Sequence, residues 1–418
     1  MKRNKIFISI ASYRDPELIP TIEDCIKNAK LPHNLVFGIC RQYHPDDKFD
    51  DLKKYKKDKR FKIIEVPHEK ALGVCWARSE IQGLYDGEEF HLQLDSHHRF
   101  AKHWDHTCKN MIRLLKKDGH KKPLLTGYIP SYNPENDPGE RIHVPWKMAF
   151  DRFIPEGAVF FIPTSIDEWQ GIDRPVPSRF FSAHFVFTNG RWVKEVPYDP
   201  KYYFHGEEIN LAARSFTHGY DLFHPHRVVC WHEYTRKGRT KQWDDAGDWV
   251  AVNEKSHSRN RKLFEMDGEK RGTKFGKYGF GKKRTLADYE RYAGIHFKKR
   301  AIQQYTLGEN YPPNPQPYKS KQEYEDSFLH IFKHCIDIGY EQVPLDDYDF
   351  WCVAFKDEQG NDVYRQDADS GEIINMKRDP DGYCKVWRTF NVENKPHSWL
   401  VWPHSKSQGW SEPITGDL

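Results

Sequence analysis

The sequence predicts an α/β domain built on a largely parallel sheet, followed by a small all-β domain. Three observations carry this. Strand-like runs alternate with helix-like runs from the N-terminus to Asp95. The proline-rich stretch "YPPNPQPYKSK" at 311–321 reads as a linker. Beyond it, short alternating apolar runs are separated by turn residues. The expected division is a first domain over 1–310, a linker over 311–324 and a β-rich accessory domain over 325–418.

Taken in order, "KIFISI" (5–10) is a strand, and "PELIPTIEDCIKNA" (16–29) a helix with Pro20 near its start. "LVFGICR" (35–41) and "FKIIEV" (61–66) are the next strands. Residues 71–85 carry apolar groups at helical spacing, and 90–95 is a further strand. The stretch 128–180 is rich in Pro, Gly and aromatic residues and reads as functional loops. Order returns with "FSAHFVF" (181–187), a helix from Glu207 to about His218, and a strand from Arg227 to Trp231 closed by His232. In the C-terminal part, "YDFWCVAFKDEQGNDVYRQ" and "HSWLVWPHS" read as strands. Turns are expected at Gln359-Gly360-Asn361 and Asp369-Ser370-Gly371. The tryptophans there (Trp351, Trp387, Trp399, Trp402, Trp410) read as the core of a β-sandwich.

With 38% hydrophobic and 15% aromatic residues in 418, the chain can bury a sizeable, ring-rich core. A net charge of +4 is weak for a dedicated nucleic-acid binder, although 255–300 hold about three times as many Lys and Arg as acids. No stretch is long and apolar enough to span a bilayer. The basic N-terminus with its short apolar run reads as a first strand rather than a signal peptide. The eight cysteines form no CxxC pair and sit in apolar segments, so reduced core thiols in a cytoplasmic protein are expected.

The chemistry concentrates at "FHLQLDSHHRF", 90–100. Phe90, Leu92 and Leu94 alternate with His91, Gln93 and Asp95, and on a strand Asp95 and His97 share a face while His98 takes the other. In parallel sheets ligands bind at the carboxyl ends of strands. One carboxylate and one imidazole there leave room for water and phosphate oxygens, as Mn²⁺ or Mg²⁺ prefers, whereas zinc takes three or four His or Cys. The competing reading is a turn-capping aspartate beside surface histidines. A second patch, "YFHGEEINLAARSFTHGYDLFHPHRVVCWH" (203–232), opens an amphipathic helix with Glu207 and Glu208 and ends on His232. Acids in a first turn are also ordinary dipole partners, and His232 alone reads equally as a buried, satisfied histidine.

Together, "SIASYRDPEL", "LDSHHRF", "FHGEEINLAARSFTHGYDLFHP" and "YGFGKKRTLADYERYAGIHF" make residues 5–300 resemble glycosyltransferase family 60. The resemblance implies the GT-A nucleotide-sugar transferase fold, a Rossmann-like mixed sheet between helices. It also implies a UDP-sugar donor, N-acetylglucosamine as the sugar, a divalent metal (Mn²⁺ or Mg²⁺) and retention of anomeric configuration. Asp95 and His97 stand at the family's metal motif. His232 stands where related enzymes place a distal ligand, with His224 and His226 as neighbours in sequence. Ser12, Tyr13, Arg14 and Asp15 follow the first strand, where such enzymes hold the nucleoside. Tyr13 is placed to pack on the base and Asp15 to accept from its ring N–H, unless the segment is a helix cap plus a core tyrosine. Arg78 is expected to face phosphate, or else to be a surface helix arginine. Glu207, with Glu208 second, is expected to hold sugar hydroxyls, since same-face substitution asks for no strong protein base. Trp146, Trp169 and the 128–180 loops are expected to shape the site for a protein, peptide or glycan acceptor. Two other readings stand beside this one: a transferase acting on a modified nucleic-acid base, and a glycan- or protein-binding module.

Overall fold

The computed structural model describes residues 2–272, 275–392 and 396–418. It divides into two compact units, Met1–Tyr318 and Lys319–Leu418.

The first unit begins with β1 (Lys2–Tyr13), α1 (Leu18–Asn28), β2 (Leu35–Tyr43), β3 (Phe61–Pro67), α2 (Val74–Gln82), β4 (Glu88–Leu94), β5 (His98–Phe100) and α3 (Trp104–Lys117). It continues with β6 (Pro123–Thr126), β7 (Trp146–Phe153), β8 (Val159–Ser165), β9 (Val176–Pro177), β10 (Phe185–Asn189) and α4 (Trp192–Glu195). Then come α5 (Glu207–Thr217), β11 (Asp221–His224), β12 (Cys230–His232), α6 (Gln242–Asp245), α7 (Trp249–Phe264) and α8 (Leu286–Ala293).

Eight strands make one mixed sheet in the order β3-β2-β1-β4-β10-β6-β11-β9. The first four run parallel, and β10 is antiparallel to both β4 and β6. The chain is thus α/β with a mixed central sheet, the class its alternating pattern predicts. Ile6, Phe7, Ile8 and Ile10 of β1 are all buried, because a parallel strand is covered on both faces. On one face of β4, Phe90, Leu92 and Leu94 join a core with Leu18, Ile22 and Cys25 of α1 and Trp104, Cys108 and Ile112 of α3. The other face is polar yet buried. His91 stacks between Phe7 and Trp192, and Gln93 Nε2 donates to Ala183 O (2.7 Å) and Tyr198 Oη (2.6 Å). The Gln93 amide is thus hydrogen-bonded, whereas the His91 ring is held by stacking, and burial lowers its pKa to about 3, so it packs as a neutral ring.

Three expectations need correction. The helix expected over 71–85 is the shorter Val74–Gln82. Gly73 precedes it at φ 100°, where a Cβ would come within 2.8 Å of the Tyr203 ring, so the chain turns there before the helix starts. The 128–180 stretch is not all loop: β7 and β8 pair as an antiparallel hairpin, in which Pro163 is tolerated because β8 has only one partner strand. The proline-rich stretch is not free at its start. Asn314 is 2% exposed, its Oδ1 accepts from Arg179 (2.9 Å), and its Nδ2 donates to Gln303 (2.8 Å) and Thr306 (2.8 Å).

The second unit is mostly antiparallel. Ile331–Gly339 pairs with Tyr383–Asn391, and Tyr348–Lys356 pairs with Ser398–Ser405 and Asp362–Arg365. Residues from both ladders share one core around Trp351, Val353, Ile336 and Val386. Gly360, at φ 83°, makes the first expected turn. The second is a helix start instead: Asp369 caps Ser370–Met376 by accepting from Glu372 N (2.9 Å). Of the five tryptophans only Trp351 is fully buried, whereas Trp387 (46%), Trp402 (37%) and Trp410 (46%) are exposed. Their strands turn one face outward, so the sandwich core is built from the alternate residues.

Asn314→Ala should cost about 2–4 kcal/mol, because three buried hydrogen bonds go and their partners stay buried. Urea unfolding of a chain ending at Tyr318, with and without the substitution, measures it.

Candidate active site

The carboxyl end of β4 opens into a loop, Asp95-Ser96-His97, before β5. Thr21 of α1 clamps that loop. Its hydroxyl donates to Ser96 O (2.8 Å) and accepts from His98 N (2.8 Å). Strand β12 pairs antiparallel with β5 in the register Cys230↔Phe100, Trp231↔Arg99 and His232↔His98. A second tie runs from His232 N to Pro130 O (3.0 Å) and from Tyr132 N to His232 O (3.2 Å). These ladders bring His232 beside residues far from it in the chain.

One ligand atom each of Asp95, His97 and His232 lies within 4.8 Å of the other two. Asp95 Oδ2 is 3.8 Å from His97 Nε2 and 3.5 Å from His232 Nε2. Neither ring nitrogen of His232 has a hydrogen-bond partner, although the residue is 6% exposed. Two buried, unpartnered nitrogens are costly unless something else engages them. Burial outweighs the nearby Asp95 carboxylate and, with His97 and His98, holds the His232 pKa well below its usual value, so the ring is in the neutral form that metal ligation needs. His224 is different: Nδ1 lies 2.9 Å from Thr126 O and Nε2 accepts from Met148 N (3.3 Å). Neither His224 nor His226 belongs to the group.

The partners of this trio explain its geometry. His97 Nδ1 lies 2.7 Å from Asp15 Oδ2 and touches Arg239 Nη1. Both neighbours sit on the Nδ1 side, so Nε2 is left to face Asp95 and His232. Asp15 also accepts from Ser96 Oγ (2.6 Å) and, at the start of α1, from Glu17 N (2.9 Å). Its carboxylate is therefore occupied by His97 rather than free for a base N–H. Burial pushes the Asp15 pKa up, yet His97 and Arg239 outweigh it and the value ends low.

Arg78 is neither on the surface nor free for phosphate. It is 2% exposed, its Nη2 contacts Asp95 Oδ1, and its Nη1 donates to Glu207 Oε1 (2.6 Å) and Tyr198 Oη (3.2 Å). Burial pushes the Asp95 pKa up, but Arg78, with His232 and His97 behind it, brings the carboxyl well below its usual range. Glu233 pairs with Arg239 (2.5 Å). Four carboxylates (Asp15, Asp95, Glu207, Glu233) thus share two guanidiniums (Arg78, Arg239) in ion pairs, while Arg236 lines the same space.

Two cavities meet here. The first, 170 Å³, is bounded by Tyr13, Gln42, Asp95, His97, Tyr203 and Trp243. Ala11, Tyr13 and Asp15 line it, whereas Ser12 and Arg14 do not. Alternation along β1 turns Ser12 away, where it is 1% exposed, and Arg14 is spent on Asp47 (2.8 Å) and Asp245 (2.9 Å). Tyr13 Oη donates to Asp245 Oδ2 (2.7 Å), so the segment 233–246 straps across the cavity. The second cavity, 330 Å³, is lined by Arg78, Tyr128, His184, Glu207, Glu208 and Tyr234, with Phe160 and Phe161 from the hairpin. Trp146 reaches only its rim, packing on Tyr234 at 6.1 Å, and Trp169 lies beneath Arg227. Glu208 Oε1 accepts from Ala183 N (2.9 Å) and Oε2 from Tyr128 Oη (3.0 Å). Burial, against those two donors, raises its pKa to about 7.

Sequence reasoning missed His184, Tyr128, Tyr234, Gln42, Arg239 and the strap. The period of β1 was a usable signal for Ser12, but nothing local pointed to the others.

The family model described as Glycosyltransferase (GlcNAc) matches residues 5–60 and 47–299, well over half of the chain. The chain belongs to that family and is a glycosyltransferase. Among solved structures it is similar to GalNAc-T7 with UDP, GalNAc and Mn²⁺, at 14% identity and TM-score 0.46 over 62% of this chain and 48% of that one. It is also similar to S. aureus TarS 1–349 with UDP-GlcNAc, at 13% identity and TM-score 0.37 over 59% of this chain and 64% of that one. Full S. aureus TarS aligns with 99% of this chain and 77% of that one, at 10% identity and TM-score 0.37. The chain thus spans about half the length of the GalNAc-T7 chain. No curated protein matches it.

Glu208 supplies a pH prediction. Its folded pKa of about 7 lies above the unfolded value, so the native state binds the extra proton between pH 4.5 and 7 and stability falls as pH rises through that window. Relative to Glu208→Gln, the parent should lose on the order of 3 kcal/mol across it. Urea midpoints of both proteins against pH measure the difference.

Proposed function

We propose that this protein moves N-acetylglucosamine from a UDP-sugar to a hydroxyl of a protein or glycan acceptor, with Mn²⁺ or Mg²⁺ as cofactor and with retention, in the manner of glycosyltransferase family 60. The observation that carries the reading is the convergence of Asp95, His97 and the buried, unpartnered His232 on one point between two cavities. One acid and two imidazoles suit such a cation and leave positions for phosphate oxygens. When bound, it would neutralise charge on the departing diphosphate.

The chain's own residues do the rest. The 170 Å³ cavity takes the nucleoside between Tyr13, Gln42 and Trp243, under the strap. Arg236 lines the same cavity without a carboxylate at ion-pair distance among the described residues and supplies positive charge at the diphosphate end, whereas Arg239 is held by Glu233 and Asp15. The 330 Å³ cavity takes the sugar, where Glu207, steadied by Arg78, accepts from its hydroxyls. Glu207 is tied to a guanidinium, and both oxygens of Glu208 already accept from Ala183 and Tyr128. Neither is free to swing as a base, which supports same-face chemistry, where the acceptor proton passes to the leaving phosphate.

Chelation should abolish UDP release from UDP-N-acetylglucosamine and Mn²⁺ should restore it; full activity of Asp95→Ala would sink the metal reading. Asp15→Asn, acting through His97, should weaken Mn²⁺ binding about 10–100-fold, read by Mn²⁺ electron paramagnetic resonance. Glu207→Gln should impair donor hydrolysis as well as transfer, and proton NMR of the product should show an α anomeric signal. A β product would refute retention.

A further inference from the structure

The positive charge of this chain is concentrated along one track that the transfer chemistry does not use. Helix α7 presents Lys255, Arg259 and Lys262 on one face, and Lys270, Arg271 and Lys201 complete the wall of a 920 Å³ cavity. Arg271 and Phe275 also line a second cavity of 630 Å³, which adds Lys282, Lys283 and Arg284. Among the described residues, the acids on these walls are Asp248, Glu269 and Asp288. Arg259 and Arg284 are committed to Asp199 (2.5 Å) and Asp221 (2.5 Å). Setting those two aside leaves seven cations against three acids. That excess of four equals the net charge of the whole 418-residue chain.

These charges are available. Lys201, Lys255, Lys270, Lys282 and Lys283 are exposed and have no carboxylate within ion-pair distance among the described residues. Lys262 and Arg271 have only long contacts, 3.9 Å each, to Glu269 and Glu265. The Arg271 guanidinium lies over the Phe280 ring (4.8 Å), and its buried Nη1 has no hydrogen-bond partner, which leaves an N–H for a ligand oxygen. Lys255 to Lys262 alone spans about 10 Å at the α-helical rise, and the track continues through the second cavity. One small anion cannot serve charges so spread, but a chain with anionic groups at intervals can. A guanidinium fork among lysine point charges suits phosphate. The track also starts at the donor site, because Tyr203 and Gln242, hydrogen-bonded to each other, line both the 170 Å³ and the 920 Å³ cavities.

We propose that this track binds a linear phosphate-bearing chain, and that such a chain carries the acceptor hydroxyl; the second part rests on the transferase reading above. Of the aromatic residues on these walls, Phe275 is 5% exposed and Phe280 is covered by the Arg271 guanidinium (4.8 Å), which leaves Trp249 as a partly exposed ring beside seven cations, so phosphate contacts outnumber stacking contacts along the track.

The test uses the full chain and long-chain polyphosphate, with titration calorimetry at several salt concentrations. Saturable binding that weakens steeply with salt is expected. Combined Lys255→Glu, Lys262→Glu and Lys270→Glu should raise Kd at least about tenfold and flatten the slope of log K against log salt by about 2. The same variant should keep the melting temperature and the acceptor-free UDP release of the parent, which separates this proposal from the donor-site reading. Lys201→Glu, on the opposite wall, should weaken binding in the same direction. No saturable binding, equal Kd in the variants, equal binding of poly-glutamate, or displacement by UDP would each overturn the proposal. A single-stranded oligonucleotide binding far more tightly than polyphosphate would overturn it in favour of nucleic acid.

Discussion

The site depends on one buried cation. Arg78 leaves α2, lies beneath the carboxyl end of β4, and joins Asp95 of the sheet to Glu207 at the first turn of α5. Two carboxylates brought together under the surface would repel, and one would take up a proton. A guanidinium between them keeps Asp95 ionised and fixes Oδ1, which leaves Oδ2 for His97 and His232. The same contact sets where α5 begins relative to the sheet. Gly206, at φ 87°, permits the sharp entry that puts Glu207 and Glu208 on the cavity wall. Gln93 and Tyr198 extend the network behind it.

Much of the sheet could be read along the chain because its signals are local. The apolar runs of β1 to β4 and the amphipathic α1 and α5 each announce themselves within a dozen residues. Asp95 and His97 belong to that class: two residues apart at a strand end, they cannot avoid being neighbours. His232 does not, since its place comes from the β12–β5 ladder, a non-local pairing that only the family motif anticipated. Arg78 carries the sharpest lesson. Its type and helix were legible, but its partners come from two other elements, so a residue expected to face phosphate turned out to be paired with Asp95 and Glu207.

The parts that escaped sequence reading share a cause. The β7–β8 hairpin lies in a stretch whose prolines and glycines look like loop, and only pairing makes its alternation count. The strap over the 170 Å³ cavity is held by Asp245 reaching Tyr13 and Arg14 across nearly the whole unit, which no window of sequence contains. In the C-terminal unit, alternation shows that strands have two faces without saying which one is covered, and Trp387, Trp402 and Trp410 fell on the open side.

The two-stranded β12–β5 ladder has a consequence for how the chain can vary. Side chains alternate along a strand, so shifting β12 by one position would present Trp231 where His232 now stands and send the imidazole to the opposite face. Loss or gain of a single residue between β11 and β12 would therefore act on the site as severely as replacing the histidine, while every residue of the motif remained in the sequence. Length differences in this family should therefore be rare in the few residues from His224 to Cys230. A relative with the motif intact but that segment altered in length would keep the fold of the sheet and lose the third side chain of the trio.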